Sequence, residues 1–131
     1  MRIAKAGRTG KPTEERGPTF TGQVWADPVL AAEDGIMANN VYFEPGSRTH
    51  WHTHATAQVL HVLAGEGRLQ SRDGTGAKLQ AGDVAHIPAG EEHWHGASPD
   101  SFLLHLAISV GSADWLDPVS DDDYTRAQQS G

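Results

Sequence analysis

The sequence predicts an all-β fold, a sandwich or barrel of short strands with one short helix near the C-terminus. Two observations point there. Turn signals recur at short spacing: "ADP" at 26–28, "EDG" at 33–35, "EPG" at 44–46, "RDGTG" at 72–76, "AGD" at 81–83, "PAGEE" at 88–92 and "SPD" at 98–100. Between them lie runs of β-forming residues too short for helices. A chain of 131 residues suits one domain with a core that needs no disulfide, and there is no cysteine.

Residues 1–18 are rich in Gly, Pro, Lys and Arg without apolar period, and read as an N-terminal arm, disordered or draped over a partner. The domain is expected over 19–131. Its candidate strands are "TFTGQVWA", "IMANNVYF", "QVLHVLAG", "GRLQS", "AKLQ", "DVAHIP", "HWHGA" and "SFLLHLAISV". In "VSDDDYTRAQQ", Ser120 can cap a helix whose first turn carries Asp121, Asp122 and Asp123, favourable beside the helix N-terminus.

Composition excludes several classes. A net charge of −7 argues against nucleic-acid binding, which needs a basic footprint. Five of the ten basic residues fall in residues 1–16, while the tail from Gly111 holds Asp114, Asp117, Asp121, Asp122 and Asp123 against one arginine; the two ends read as solvated. No run approaches the roughly 18 apolar residues of a membrane span, and the first residues are too polar for a secretory signal, so a soluble, cytoplasmic protein is expected. Without cysteine, metal ligands are limited to His, Asp, Glu and Gln.

All eight histidines lie between positions 50 and 105. In "THWHTHATAQVLHVLAG" an extended chain puts His50, His52 and His54 on one face, because side chains alternate with period two. Neutral imidazole is the commonest protein ligand for transition metals, which makes a metal site the first expectation. His93 and His95 alternate across Trp94, and His105 sits within an apolar strand. If His105 faces inward, so do Ala107 and Ser109. Asn39, Val41 and Phe43 likewise share one face of an earlier strand. The expected cavity combines the metal, His95 and His105 as acid/base candidates, and a wall that includes Asn39, Val41, His50 and Ser109.

Two stretches have defined spacing. Gly46 is followed after five residues by His52, then His54, Gln58 and Gly65; Gly82 is followed after five residues by Pro88, then Gly90 and His93. Together they resemble the two signature motifs of the cupin superfamily, G-x5-H-x-H-x3,4-E-x6-G and G-x5-P-x-G-x2-H-x3-N. The resemblance covers roughly residues 40–110 and implies a single cupin (jelly-roll) β-barrel whose metal ligands are His52, His54, Gln58 and His93. Gln58 stands where most cupins have glutamate, and Ala97 where the second motif ends in asparagine. A glutamine ligates through its amide oxygen without adding charge, so three imidazoles and an amide leave a divalent ion its full formal charge. Manganese is the expected ion, with Fe2+, Ni2+ or Zn2+ alternatives, and four protein ligands leave one or two positions of a six-coordinate ion for water or substrate.

The stretches "VYFEPGSRTHWHTHATAQVL", "GEEHWHGA", "HLAIS" and "ADWLDPVSDDDY" are similar to a group of small bacterial manganese cupins, close to the carboxymuconolactone-decarboxylase-associated cupins, that includes the cupin-type hydroxynitrile lyases. This resemblance implies a lyase that cleaves or forms cyanohydrins, with His105 or His95 as base. A metal-dependent dioxygenase, decarboxylase or isomerase acting on a small organic substrate, or a non-catalytic small-ligand-binding cupin, remain open alternatives. The segment before the motif histidines is too short and too poorly helical for a fused DNA-binding domain. On "QVLHVL" and "FLLHLAIS" both alternating faces are largely apolar, which leads to the expectation of a homodimer or higher homo-oligomer.

Overall fold

The structure, a computed structural model, describes residues 1–130. Twelve strands run in chain order: β1 (Glu14–Arg16), β2 (Phe20–Thr21), β3 (Val24–Glu33), β4 (Ile36–Phe43), β5 (Arg48–Thr49), β6 (His52–His54), β7 (Ala57–Ser71), β8 (Gly76–Gln80), β9 (Val84–Pro88), β10 (His93–Ala97), β11 (Leu103–Val110) and β12 (Ala113–Trp115). One helix, α1 (Asp121–Gln128), follows. The strands pair in the order β1-β3-β4-β11-β7-β10-β5-β2; β8 and β9 also pair with β7, and β6 joins β10 to β12. The all-β cupin barrel expected from the sequence is the fold observed.

The turn chemistry explains most boundaries. Asp34 and Gly35 both have positive φ, the backbone that a tight hairpin between β3 and β4 requires. Beyond that hairpin, β4 and β11 pair without interruption from Ile36↔Val110 to Leu103↔Phe43. The expected break at "ADP" does not occur: β3 runs on through Pro28, where β1 has already ended and no ladder partner on that side needs the missing N–H.

A larger difference lies in β7. The glycines at 65 and 67 suggest two strands, but the chain forms one strand of 15 residues. Its first half pairs with β11 and β9, and its second half with β10 and β8, so β7 is the corner shared by the two sides of the barrel. The bend needs Gly65. Its φ is +81°, and a Cβ there would stand 2.0 Å from the Phe102 carbonyl oxygen. A register shift in β11 between Leu104 and His105 accommodates the same corner.

Residues 1–18 are not without regular structure. Glu14–Arg16 add to the edge of β3 through Glu14↔Ala26 and Arg16↔Val24, and the Arg2 guanidinium pairs with Glu33 at 2.9 Å. The short β2 pairs with β5.

Side-chain parity on β11 follows the sequence expectation. Leu103, His105, Ala107 and Ser109 are buried, while Leu104, Leu106, Ile108 and Val110 are half-buried on the opposite face. The main core joins Val24, Val41, Phe43, Leu60, Val62 and Leu103 among others. A second cluster packs Trp51, Trp94 and Val119 against Tyr124 and Ala127 of α1. Ser120 accepts a hydrogen bond from the Asp123 backbone N–H at 3.0 Å, and Tyr124 donates from its hydroxyl to the Ala97 carbonyl at 2.7 Å. The Arg48 guanidinium locks the helix start, donating to the Val119 carbonyl and to Asp121, both at 2.8 Å. No described helix is long and apolar enough to cross a membrane.

Candidate metal centre and cavity

The barrel brings distant segments into one cluster through strand register. His52 of β6 pairs directly with His93 of β10, which sets their ring centroids 4.2 Å apart. His54, two residues along β6, keeps the same face, with its ring 5.0 Å from His52 and 5.5 Å from His93. Gln58 enters from the start of β7, where it pairs with Ser109 of β11. Its amide Nε2 donates to the Ser109 hydroxyl at 3.4 Å, and its Oε1 faces His93 Nε2 at 3.0 Å. The four residues expected as ligands therefore converge, and all are buried.

Backbone carbonyls fix which nitrogen faces inward. His52 Nδ1 lies 3.0 Å from the His50 carbonyl oxygen and His93 Nδ1 lies 2.9 Å from that of Glu91. A carbonyl only accepts, so Nδ1 carries the proton in both rings and each Nε2 lone pair points into the cluster, the outer-partner arrangement typical of metal-ligating histidines. His93 Nε2 then confronts another acceptor, Gln58 Oε1, and both ring nitrogens of His54 are buried without a partner. Acceptors crowded together in this way are favourable around a cation and unfavourable without one. The donor set fits a divalent metal ion.

Electrostatics point the same way. Burial, and next the charge of His93, push the pKa of His52 down to about 3, and the same two causes in the same order put His54 at about 4. Burial also lowers His93 and takes His105 down to about 4. His95 falls well below the usual imidazole value, through burial and then the neighbouring His105. The imidazoles are neutral at pH 7, with lone pairs free to ligate or accept protons.

Beside the cluster lies a cavity of about 720 Å³. Its wall includes His52, His54, Gln58, His95, Asn39 and Ser109, with Val41, Phe43 and Ala107 as an apolar lining. His95 extends the cluster: one ligand atom each from His52, His93 and His95 lie within 4.8 Å of one another. Behind His95, fully buried and outside the cavity lining, His105 places Nε2 2.9 Å from His95 Nδ1. His95 Nε2 has no hydrogen-bond partner.

The family model of the cupin domain matches residues 39–108. The chain belongs to the cupin family. This cupin is 42% identical over 127 residues to the (R)-mandelonitrile lyase of Granulicella tundricola, a match covering 91% of the chain and 97% of that protein. It is also similar to the acireductone dioxygenase of a Picosynechococcus species, at 28% identity over 102 residues, covering 68% of this chain and 58% of that one. Among solved structures, a cupin-like protein from Thermotoga maritima superposes with a TM-score of 0.81 at 40% identity, covering 86% of this chain and 90% of that one.

One residue of the expected cavity wall is misplaced by period-two reasoning. His50 is not among the lining residues of the cupin's cavity. The alternation is interrupted between β5 and β6, where the chain bends at Trp51, so His50 leaves the face shared by His52 and His54. Its imidazole lies near Asp117, and its contribution to the site is the carbonyl that orients His52.

Other residues enter that sequence reasoning passed over. Trp115 of β12 pairs with His52 and stacks on its ring at 4.5 Å and 28°. Phe20 packs against both Trp115 and Phe43, and residues 15–18 of the arm, with Thr19, complete the wall. In the sequence Trp115 stands among the acidic residues of a tail that reads as solvated, and no local pattern assigns it to the cavity.

The depressed imidazole pKa values carry a stability prediction for metal-stripped protein. Between pH 6.5 and about 4 the unfolded chain binds protons on His52, His54 and His105 that the folded chain does not. The contribution of neutral burial is therefore intact above about pH 6.5 and is lost as pH falls, with a slope approaching about 4 kcal/mol per pH unit for three groups. Denaturant midpoints measured from pH 7 to pH 4 check this; a flat profile contradicts it.

Proposed function

We propose that this cupin is a metal-dependent lyase of hydroxynitrile-lyase type, which cleaves a cyanohydrin to a carbonyl compound and hydrogen cyanide and catalyses the reverse addition. The observation that carries the reading is His95, a neutral base beside the imidazole cluster whose buried Nε2 has no hydrogen-bond partner, in a chain that aligns along nearly the whole length of a mandelonitrile lyase.

His52, His54, Gln58 and His93 would hold a divalent ion, which when bound would supply a Lewis acid of undiminished formal charge that favours the alkoxide form of a hydroxyl oxygen. The chain's own residues handle the proton. His95 Nε2 accepts it from the substrate hydroxyl. In this role its Nδ1 carries a proton and donates it in a hydrogen bond to His105 Nε2, 2.9 Å away, which stabilises the imidazolium that forms. The carbon–nitrile bond then breaks, its electron pair leaves with cyanide, and the oxygen's electron pair closes the carbonyl. Cyanide collects the proton from His95 Nε2 and departs as hydrogen cyanide. Val41, Phe43 and Ala107 keep the reacting carbon in apolar surroundings, where a charge on oxygen interacts more strongly with its partners than it does in water.

The similarity to acireductone dioxygenase supports a second reading, because the same imidazoles can hold a redox-active ion. Oxygen separates the two. With mandelonitrile in an oxygen-free cell, the lyase reading predicts equimolar benzaldehyde and cyanide at the rate found in air. Turnover that requires and consumes dissolved oxygen would favour the dioxygenase.

A further inference from the structure

The cavity is larger than a small cyanohydrin needs, and one part of its wall has a chemistry the lyase reading does not use. β1 forms the edge beyond β3, and Arg16 pairs with Val24, a fully buried core residue. Directly paired residues project to the same face of a sheet, so the Arg16 side chain shares the inner face of Val24, with Glu14, paired with the buried Ala26, beside it on that face; Glu15, paired with Trp25, also contributes to the cavity wall. Val24 in turn pairs with Phe43. Arg16 is therefore two strands, about 10 Å, across the sheet from Phe43, whose ring stands edge-on to His95 at 5.9 Å. Phe20, Phe43 and Trp115 supply flat apolar surface in this cavity.

The Arg16 guanidinium is half-buried, yet it makes no hydrogen bond to another described residue. Its one ionic neighbour is the exposed Glu14 carboxylate at 3.8 Å, beyond hydrogen-bonding distance. Among the cavity-lining residues it is the only cation. A planar fork of donors at a cavity wall, with no hydrogen bond to another described residue and a single carboxylate neighbour, Glu14, at 3.8 Å, has donors to offer a second carboxylate.

We propose that Arg16 is a specificity-determining residue that receives a carboxylate on the substrate, opposite the end that reacts at His95, so that the favoured substrates are aryl compounds bearing a carboxylate. The inference rests on reading this cavity as the catalytic site. It gives the arm a role in selecting substrate, and it accounts for a cation at the cavity of a chain whose net charge is −7.

The test uses binding of unreactive ligands, so that it does not depend on turnover. Metal-loaded full-length protein is titrated calorimetrically with 4-(hydroxymethyl)benzoate and with benzyl alcohol. The wild type is expected to bind the carboxylate at least about tenfold more tightly, equivalent to about 1.4 kcal/mol, with the ratio narrowing as salt rises. Arg16→Gln is expected to bring the ratio to within about twofold, and Arg16→Lys to retain part of it. Lys78→Gln, at an exposed position on β8, is expected to leave the ratio unchanged. Equal binding of the two ligands by the wild type, or an undiminished preference in a folded Arg16→Gln protein, would overturn the assignment. Mandelonitrile cleavage on the same wild-type preparation separates the two ideas. A carboxylate preference without cleavage removes the lyase and keeps Arg16; cleavage without a preference does the reverse.

Discussion

Replacing His52 and His93 together with alanine is expected to empty the metal site and to abolish cyanohydrin cleavage. These two rings are the pair that strand register sets face to face, and each has its Nδ1 proton committed to a backbone carbonyl, so both Nε2 lone pairs are already aimed inward. No rotation or proton transfer is needed before they ligate. Removing only an outer hydrogen-bond partner from a metal site lowers affinity about 10–100-fold, and losing two direct ligands exceeds that. Elemental analysis should fall from near one metal per chain to a trace, with turnover falling at least about 10³-fold. His52 and His93 are almost fully buried, so a thermal melt is needed to show that the variant folds. A folded double variant that kept stoichiometric metal would refute the ligand assignment.

The second large effect is expected at His95. His95→Gln keeps a polar side chain of similar reach but removes the proton acceptor, and a positioned general base contributes about 10²–10⁴-fold. The account predicts that loss in kcat with metal content unchanged. His105→Gln tests the ring behind it. His105 is fully buried and does not line the cavity, so it acts through His95. Its replacement should lower kcat less and move the pH profile of kcat, which a purely structural change would leave in place. If His95→Gln instead lost the metal, His95 would be a ligand in the set with His52 and His93, since one ligand atom of each of the three lies within 4.8 Å of the others.

Much of this architecture is legible in the residues. The alternation in "SFLLHLAISV" places His105, Ala107 and Ser109 inward, and they are inward, because one face of β11 is the barrel core and a slip of one residue would bury the wrong set. The Ser120 cap and the helix after it are local chemistry, readable without tertiary context. Gly65 is visible as a fixed member of a spacing, but its task is not: glycine between two apolar runs suggests a chain break, and only the close approach of the Phe102 carbonyl shows that it bends one strand across the barrel corner. His50 fails for a related reason. Period two holds only while the strand continues, and the bend at Trp51 lies between β5 and β6, where no apolar pattern marks it. The arm escaped because β1 is only three residues long and is stabilised by pairing with β3 rather than by its own propensity. Trp115 owes its place to the β12–β6 pairing, a contact between residues more than sixty positions apart.

The central claim is that the imidazole and amide cluster binds one metal ion that is needed for an oxygen-independent lyase reaction at His95. The most direct test is to strip the protein of metal, add Mn2+ back in steps under oxygen-free conditions, and measure bound metal and cyanide released from mandelonitrile on the same samples. The account predicts activity that rises in proportion to bound metal and stops rising at one equivalent per chain. Cleavage at full rate by the stripped protein, or no cleavage at full occupancy, would contradict it.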